Sequence, residues 1–227
     1  MIKKVLFGIL CLMNSLAANA QMGKLFDADK QMSSSFTTQI YLDKDGFIWI
    51  ATRNGLNRYD GYQFRIYKKE SRQDLGMASN YVNCMTQDHN GRFYIGMYGA
   101  LQIFDGQRFR SVTTYDLDKK SIPCYVTCLL ERQNREMLIG TSGHGLLKMK
   151  GHREAYQMGD IFSHLNGVHR MMEDRRQQIW LATETQGLWC WDGKTVKKYF
   201  QEAGMHNSVL DVCEGDNGRV YVATANH

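Results

Sequence analysis

DGFIWIATRNGLNRYDG, residues 45–61, reads as turn, strand, turn, strand, turn. Asp45-Gly46 and Asp60-Gly61 are pairs that tolerate positive φ and suit tight hairpin turns. Between them, Phe47 to Thr52 is an almost unbroken apolar run of strand formers, with no polar residue before Thr52 to mark a solvated face. Such a run predicts a strand covered on both faces. Asn54-Gly55 then turns the chain into a second short strand, Leu56 to Tyr59. One hairpin cannot cover both of its own faces, so similar units must pack on each side.

The chain supplies those units by repeating itself. Asn90 to Met97, Asn134 to Thr141, Gln177 to Thr183 and Asn217 to Thr224 are further copies of the first strand and its leading turn. Aligned on Thr52, Met97, Thr141, Thr183 and Thr224, the intervals are 45, 44, 42 and 41 residues. A strand signal precedes each copy, as in Phe36 to Tyr41, Tyr81 to Thr86 and Tyr125 to Leu130, and another follows, as in Tyr62 to Tyr67 and Gln107 to Val112. In Tyr62 to Tyr67, Phe64 and Ile66 alternate with Arg65 and Tyr67, the pattern of an edge strand with one solvated face. A period of this length with four antiparallel strands per unit predicts an all-β chain built as a β-propeller. The units fall near residues 36–67, 81–112, 125–158, 168–200 and 209–227, the last of them only half a blade.

The pattern D-x-D-G-F-I-W-I-A-T-R-N-G-L-N-R-Y-D-G-Y-Q-F, from Asp43 to Phe64, resembles the two-component regulator propeller repeat. The likeness extends over about residues 30 to 227, and the third copy departs most, with Asn134-Arg135 in place of the turn pair. The resemblance implies the N-terminal part of a periplasmic sensor of the hybrid two-component type found in gut Bacteroidota. It implies an oligosaccharide derived from a polysaccharide as ligand and a cytoplasmic kinase as output. The chain itself carries no kinase signature and stops before the Gly-Leu of its own fifth repeat. It is therefore expected to be a fragment or a truncated reading frame of such a sensor, without catalytic residues or a cofactor of its own.

The first 20 residues read as a secretory signal peptide. Lys3 and Lys4 precede the apolar run Val5 to Met13, and Ala18-Asn19-Ala20 offers a cleavage site before Gln21. That run is too short for a span, which needs roughly 20 residues, and no later stretch is apolar enough to cross a membrane. Exported, periplasmic material follows, with residues 21–227 as the propeller. Removing Lys3 and Lys4 leaves 26 basic and 23 acidic residues, a net charge of +3, too small and too scattered for a nucleic-acid partner. The mature part keeps Cys84, Cys124, Cys128, Cys190 and Cys213, an odd number. Cys84 and Cys128 share a repeat position. Neighbouring blades stand about 10 Å apart, whereas a disulfide needs Cα atoms within about 7 Å, so buried free thiols are expected. The histidines show no paired ligand spacing, and no metal site is expected.

Four strands per blade place successive hairpins at alternate ends. Asp45-Gly46 and Asp60-Gly61 share the end of tight turns, while Arg53-Asn54-Gly55 and the connections between blades share the other. Variable loops on a rigid scaffold are the usual place for binding residues. Arg53, Asn54, Tyr98, His144, Glu184 and Gln186 occupy that end and form the candidate ligand-binding set; the competing reading is that they are solvated turn residues. Trp49, Tyr94, Trp180 and Tyr221 share one repeat position and read as inter-blade core rather than as a sugar platform. Two other functions fit the pattern: a carbohydrate or glycopeptide lyase on a propeller, and a protein-docking scaffold. Open blade edges also lead one to expect self-association.

Overall fold

The computed structural model describes residues 31–70, 76–200 and 208–225. The expected signal peptide lies outside them. The chain is a series of antiparallel sheets. The first blade is β1 (Thr37–Leu42), β2 (Ile48–Thr52), β3 (Gly55–Tyr59) and β4 (Phe64–Tyr67), hydrogen-bonded in that order. The second is β5 (Val82–Gln87), β6 (Phe93–Met97), β7 (Ala100–Phe104) and β8 (Phe109–Tyr115); the third is β9 (Tyr125–Glu131), β10 (Met137–Ser142), β11 (Leu146–Lys150) and β12 (Glu154–Gln157). The fourth is β13 (Val168–Glu173), β14 (Ile179–Thr183), β15 (Leu188–Trp191) and β16 (Val196–Tyr199), and β17 (Val209–Glu214) pairs with β18 (Val220–Thr224). This is the β-propeller architecture that the repeat predicts, with the first strand of each blade beside the first strand of the next.

Each blade begins alike. The leading aspartate folds its turn: Asp43 Oδ1 accepts the N–H groups of Asp45 and Phe47 while Oδ2 accepts Trp49 Nε1 at 2.6 Å. Asp174 does the same with Arg176, Gln178 and, at 2.9 Å, Trp180 Nε1. In the third copy, the most divergent, Arg132 stands where the first, second and fourth have aspartate. It turns to Glu136 at 2.9 Å and to Glu173 of the next blade at 3.2 Å.

Neighbouring blades are joined at both ends of their first strands. A β-bulge recurs near the start of each, skipping Thr38, Asn83, Thr127, His169 and Leu210 in the pairing. The bulged side chain is freed to reach the next blade. Thr38 donates to Val82 O at 2.6 Å, Asn83 to Val126 O at 2.7 Å and Thr127 to Val168 O at 2.5 Å. At the other end the last residue of the next first strand accepts a turn N–H. Gln87 accepts from Lys44, Glu131 from His89, Glu173 from Gln133 and Glu214 from Arg175. Between these fastenings lies the apolar core. Trp49 stacks on Phe93 with ring centroids 4.7 Å apart, and Val126, Ile139 and Leu147 fill the next interface.

Three features depart from the expectations of the sequence. First, β8 and β12 pair in parallel, Thr113 with Glu154 through Tyr115 with Tyr156, so the second and third blades form one eight-stranded sheet. Their outer strands are not free edges. Val112 and Ala155 are buried at this junction, and the rings of Tyr115 and Tyr156 stack at 4.9 Å. Second, β2 is covered on one face only. Ile40 and Leu42 are about two-thirds exposed, at 65% and 66%, and Ile48 and Ile66 lie on the same open face. The segment at Ser33 covers Asn57 on this face and leaves Ile40, Leu42, Ile48 and Ile66 open, whereas β6, with neighbours on both sides, is buried throughout. It follows that β4 turns Tyr67, not Ile66, toward the core, where its ring meets Trp49, Phe104 and Phe109. Third, a single helical turn, Asp160–Ser163, precedes the fourth blade and buries Phe162 against Trp191.

The described cysteines are free: Cys84, Cys124, Cys128 and Cys190 are buried, as expected, and Cys213 is exposed. Cys84 and Cys128 lie across from Gly96 and Gly140 in their sheets. Burial pushes the Cys84 thiol well above its ordinary value and that of Cys128 up to about 12, so both act as small apolar fillers.

A candidate ligand-binding rim

At the loop end of the blades, pairing between the first two strands runs one residue beyond the ladder. Arg53 N–H donates to Phe36 O at 3.1 Å, Tyr98 N–H to Tyr81 O at 3.0 Å and Glu184 N–H to Gly167 O at 2.8 Å. This extra bond draws Arg53, Tyr98 and Glu184 to the inner rim, beside the residue that opens each first strand. In three blades that opening residue is aromatic: Phe36, Tyr81 and Tyr125.

The side chains assemble into a strip across those three blades. The Arg53 guanidinium lies 5.3 Å from the Phe36 ring centre and 5.8 Å from that of Tyr81, within cation–π range. Tyr81 meets Tyr98 edge-on at 6.1 Å, and Tyr98 meets Tyr125 edge-on in turn. Tyr98 is 53% exposed, so the strip presents ring surface to solvent rather than sealing it into the core. The hydroxyls of Tyr81, Tyr98 and Tyr125 make no hydrogen bond among the described residues, which leaves polar tips beside apolar faces. In the fourth blade Gly167 replaces the aromatic, and Glu184 brings a carboxylate instead.

The six residues proposed from the sequence therefore divide. Arg53 and Tyr98 come together through Tyr81, and Glu184 holds the matching position further round the rim. Asn54, His144 and Gln186 lie one step outward and are tied down. Their N–H groups donate to the hydroxyls of the buried Thr52, Thr141 and Thr183. Asn54 Nδ2 donates to Ser33 O at 3.3 Å, Gln186 Nε2 to His164 O at 3.2 Å, and Gln157 Nε2 to His144 O at 2.9 Å. Their backbones and amide groups brace the loops against the connections between blades. Of those connections, residues 71–75 and 201–207 lie outside the described residues.

Phe36, Tyr81 and Tyr125 carry the strip, yet sequence reasoning treats them as ordinary strand residues. The available signal was an aromatic at one fixed offset before the bulge in three successive units. The reading of Trp49, Tyr94 and Trp180 as core holds: Trp49 and Tyr94 are buried and Trp180 is half-buried. Tyr221 is 52% exposed, because no described strand follows β18.

Below the rim the first strands enclose a concavity of about 390 Å³, lined among others by Gln39, Asn83, Thr127, His169 and Arg170. Much of its polar lining is already in use. Gln39 exchanges two hydrogen bonds with the backbone of Met85, at 2.7 and 3.2 Å, and Arg170 pairs with Asp211 at 3.3 Å. Of these polar lining residues, His169 makes no hydrogen bond among the described residues, whereas the rim keeps three tyrosine hydroxyls and the Arg53 guanidinium unspent.

Comparison with known proteins agrees with this architecture. Residues 31–54 and 76–99 match the family described as Two component regulator propeller. A curated relative, histidine kinase P4 of Formosa agariphila, is 23% identical over 82% of this chain and 18% of its own length. Among solved structures, the extracellular domain of the hybrid two component system BT3049 from B. thetaiotaomicron superposes with a TM-score of 0.75 at 20% identity, covering 89% of this chain and 29% of that one. The corresponding domain of BT4673 from the same organism gives 0.71 at 16% identity, over 88% of this chain and 27% of that one. The chain thus spans less than a third of each of these proteins. No described helix is long and apolar enough to cross a membrane. Two blades thus match the two component regulator propeller repeat, and the period of that repeat runs through the others.

Proposed function

We propose that this chain is a ligand-sensing part of an extracytoplasmic two-component sensor, and that its rim binds an oligosaccharide. The carrying observation is the strip from Phe36 to Tyr125, which combines exposed ring faces with unused hydroxyls. Sugar rings present C–H faces and equatorial hydroxyls, and such a strip meets both. The extracellular placement of the similar domains supports the location. On this reading the chain binds without turning its ligand over, and the kinase output belongs to the rest of a longer protein.

Calorimetric titration with a panel of plant, algal and host oligosaccharides tests this. Tyr98→Ala is expected to weaken the ligand that binds by about tenfold, equivalent to about 1.4 kcal/mol, within the range for an aromatic contact plus its buried area. Thermal stability should change little, since Tyr98 is half-exposed. Unchanged affinity would remove the rim from the site, and hydrolysis or elimination of the bound sugar would replace the sensor with an enzyme.

We also propose that this stretch of chain self-associates when isolated. The open face bears the exposed Ile40, Leu42, Ile48 and Ile66, and exposed apolar surface of this kind seeks cover. Sedimentation velocity should show association that grows with concentration. A monomer at all concentrations would refute it.

A further inference from the structure

Taking the rim as the ligand site, we infer that its ligand is an anionic oligosaccharide, with Arg53 receiving the acidic group. The inference rests on where this chain places Arg53. Among the described residues Arg92, Arg110, Arg132 and Arg170 are ion-paired, whereas Arg58, Arg65 and Arg108 among others are not, so it is the place on the rim that sets Arg53 apart. Arg53 has neither an ion pair nor a side-chain hydrogen bond among the described residues. It is nevertheless the rim cation that is held in place. Its N–H is bonded to Phe36 O, it sits in the short hairpin between β2 and β3, and its guanidinium lies against the rings of Phe36 and Tyr81.

A guanidinium resting against rings keeps its N–H edge free, and that edge is a fork suited to two oxygens of a carboxylate or sulfate. A neutral sugar laid on Tyr81 and Tyr98 would cover part of this cation without offering it a counter-charge. An acidic sugar supplies one. The rim also carries a direction. Glu184, in the fourth blade, repels an anion, so the acidic group is led to the Arg53 end and the remaining rings to Tyr98 and Tyr125.

The test compares oligosaccharides that differ only in charge. Tetramers of galacturonate, glucuronate and mannuronate are titrated beside their methyl esters, with a sulfated and an unsulfated neutral tetramer alongside. At least one acidic probe is expected to bind tenfold or more tightly than its neutral counterpart, and to weaken as salt rises. The uronate and sulfate arms identify which acid is read. Arg53→Gln should abolish that preference while leaving the thermal midpoint in place, and Arg53→Lys should restore part of it. Equal binding of an acid and its ester, or an acid preference that survives Arg53→Gln, overturns the inference while leaving the rim as a sugar site. Failure of every sugar, acidic and neutral, overturns both.

Discussion

Gly145→Ala is expected to leave little folded protein, while Gly151→Ala should be tolerated. Both glycines have nearly the same left-handed backbone, φ +63° and +65°, so the strain of adding a Cβ is common to both, about 1–2 kcal/mol. They differ in what that Cβ meets. At Gly151 there is nothing within 4 Å, whereas at Gly145 the Cβ would lie 1.7 Å from the carbonyl oxygen of Phe162. The obstacle is backbone, and it belongs to the helical turn that seats Phe162 and Leu165 in the core between the third and fourth blades. Gly145 cannot retreat, because its own carbonyl accepts both the N–H and the hydroxyl of buried Thr141. Expelling Phe162 should cost about 3–5 kcal/mol, as loss of a buried Phe does. Added to the strain, that approaches the whole stability of a domain, about 5–15 kcal/mol. Urea unfolding of the two variants side by side decides the matter; a difference below about 1 kcal/mol would mean that the turn is not seated as described.

Glu173→Ala should destabilise the protein by about 3 kcal/mol, and Glu214→Ala by less than about 1 kcal/mol, although both occupy the same place in the repeat. Glu173 is 5% exposed and accepts from Arg132 Nε at 3.2 Å and from Gln133 N–H at 2.5 Å. Arg132 is itself only 12% exposed and lies against the Trp191 ring. Removing the carboxylate strands half of a nearly buried guanidinium, and Glu136 compensates only the other half. Glu214 faces Arg175, which is 61% exposed at 4.0 Å, so water replaces the carboxylate there. Equal losses in the two variants would show that burial does not set the worth of this inter-blade clamp.

The blades were legible because a twofold strand alternation and a period near 43 residues recur together, and no local preference opposes them. Inter-blade burial of Trp49 and Tyr94 followed from the same pattern. What escaped has physical reasons. The pairing of β8 with β12 joins strands about 40 residues apart through backbone groups, and backbone groups leave no mark in a sequence. The open face of β2 depends on what stands beside the first blade, which the strand itself does not encode. The rim was half legible. Loop position pointed to Arg53 and Tyr98, but also to Asn54 and Gln186, whose amides are spent on Ser33 and His164. Polar loop residues that brace and those that bind look alike until their partners are known.

Plates fastened along one margin behave like pages in a binding. The parallel pairing of Thr113–Tyr115 with Glu154–Tyr156 staples one pair of pages along the opposite margin as well. Rocking is thereby denied to the second and third blades and confined to the seams on either side of them. The Phe36-to-Tyr125 strip crosses one of those free seams, where Arg53 of the first blade reaches Tyr81 of the second. That seam is fastened by Thr38 to Val82, by Gln39 and Met85 in both directions, by Lys44 to Gln87 and Asp88, and by Gln87 to Tyr41. A molecule laid across the strip would thus act as a clasp on a joint that lacks the outer staple, and its grip would be felt as a change in tilt of the first blade.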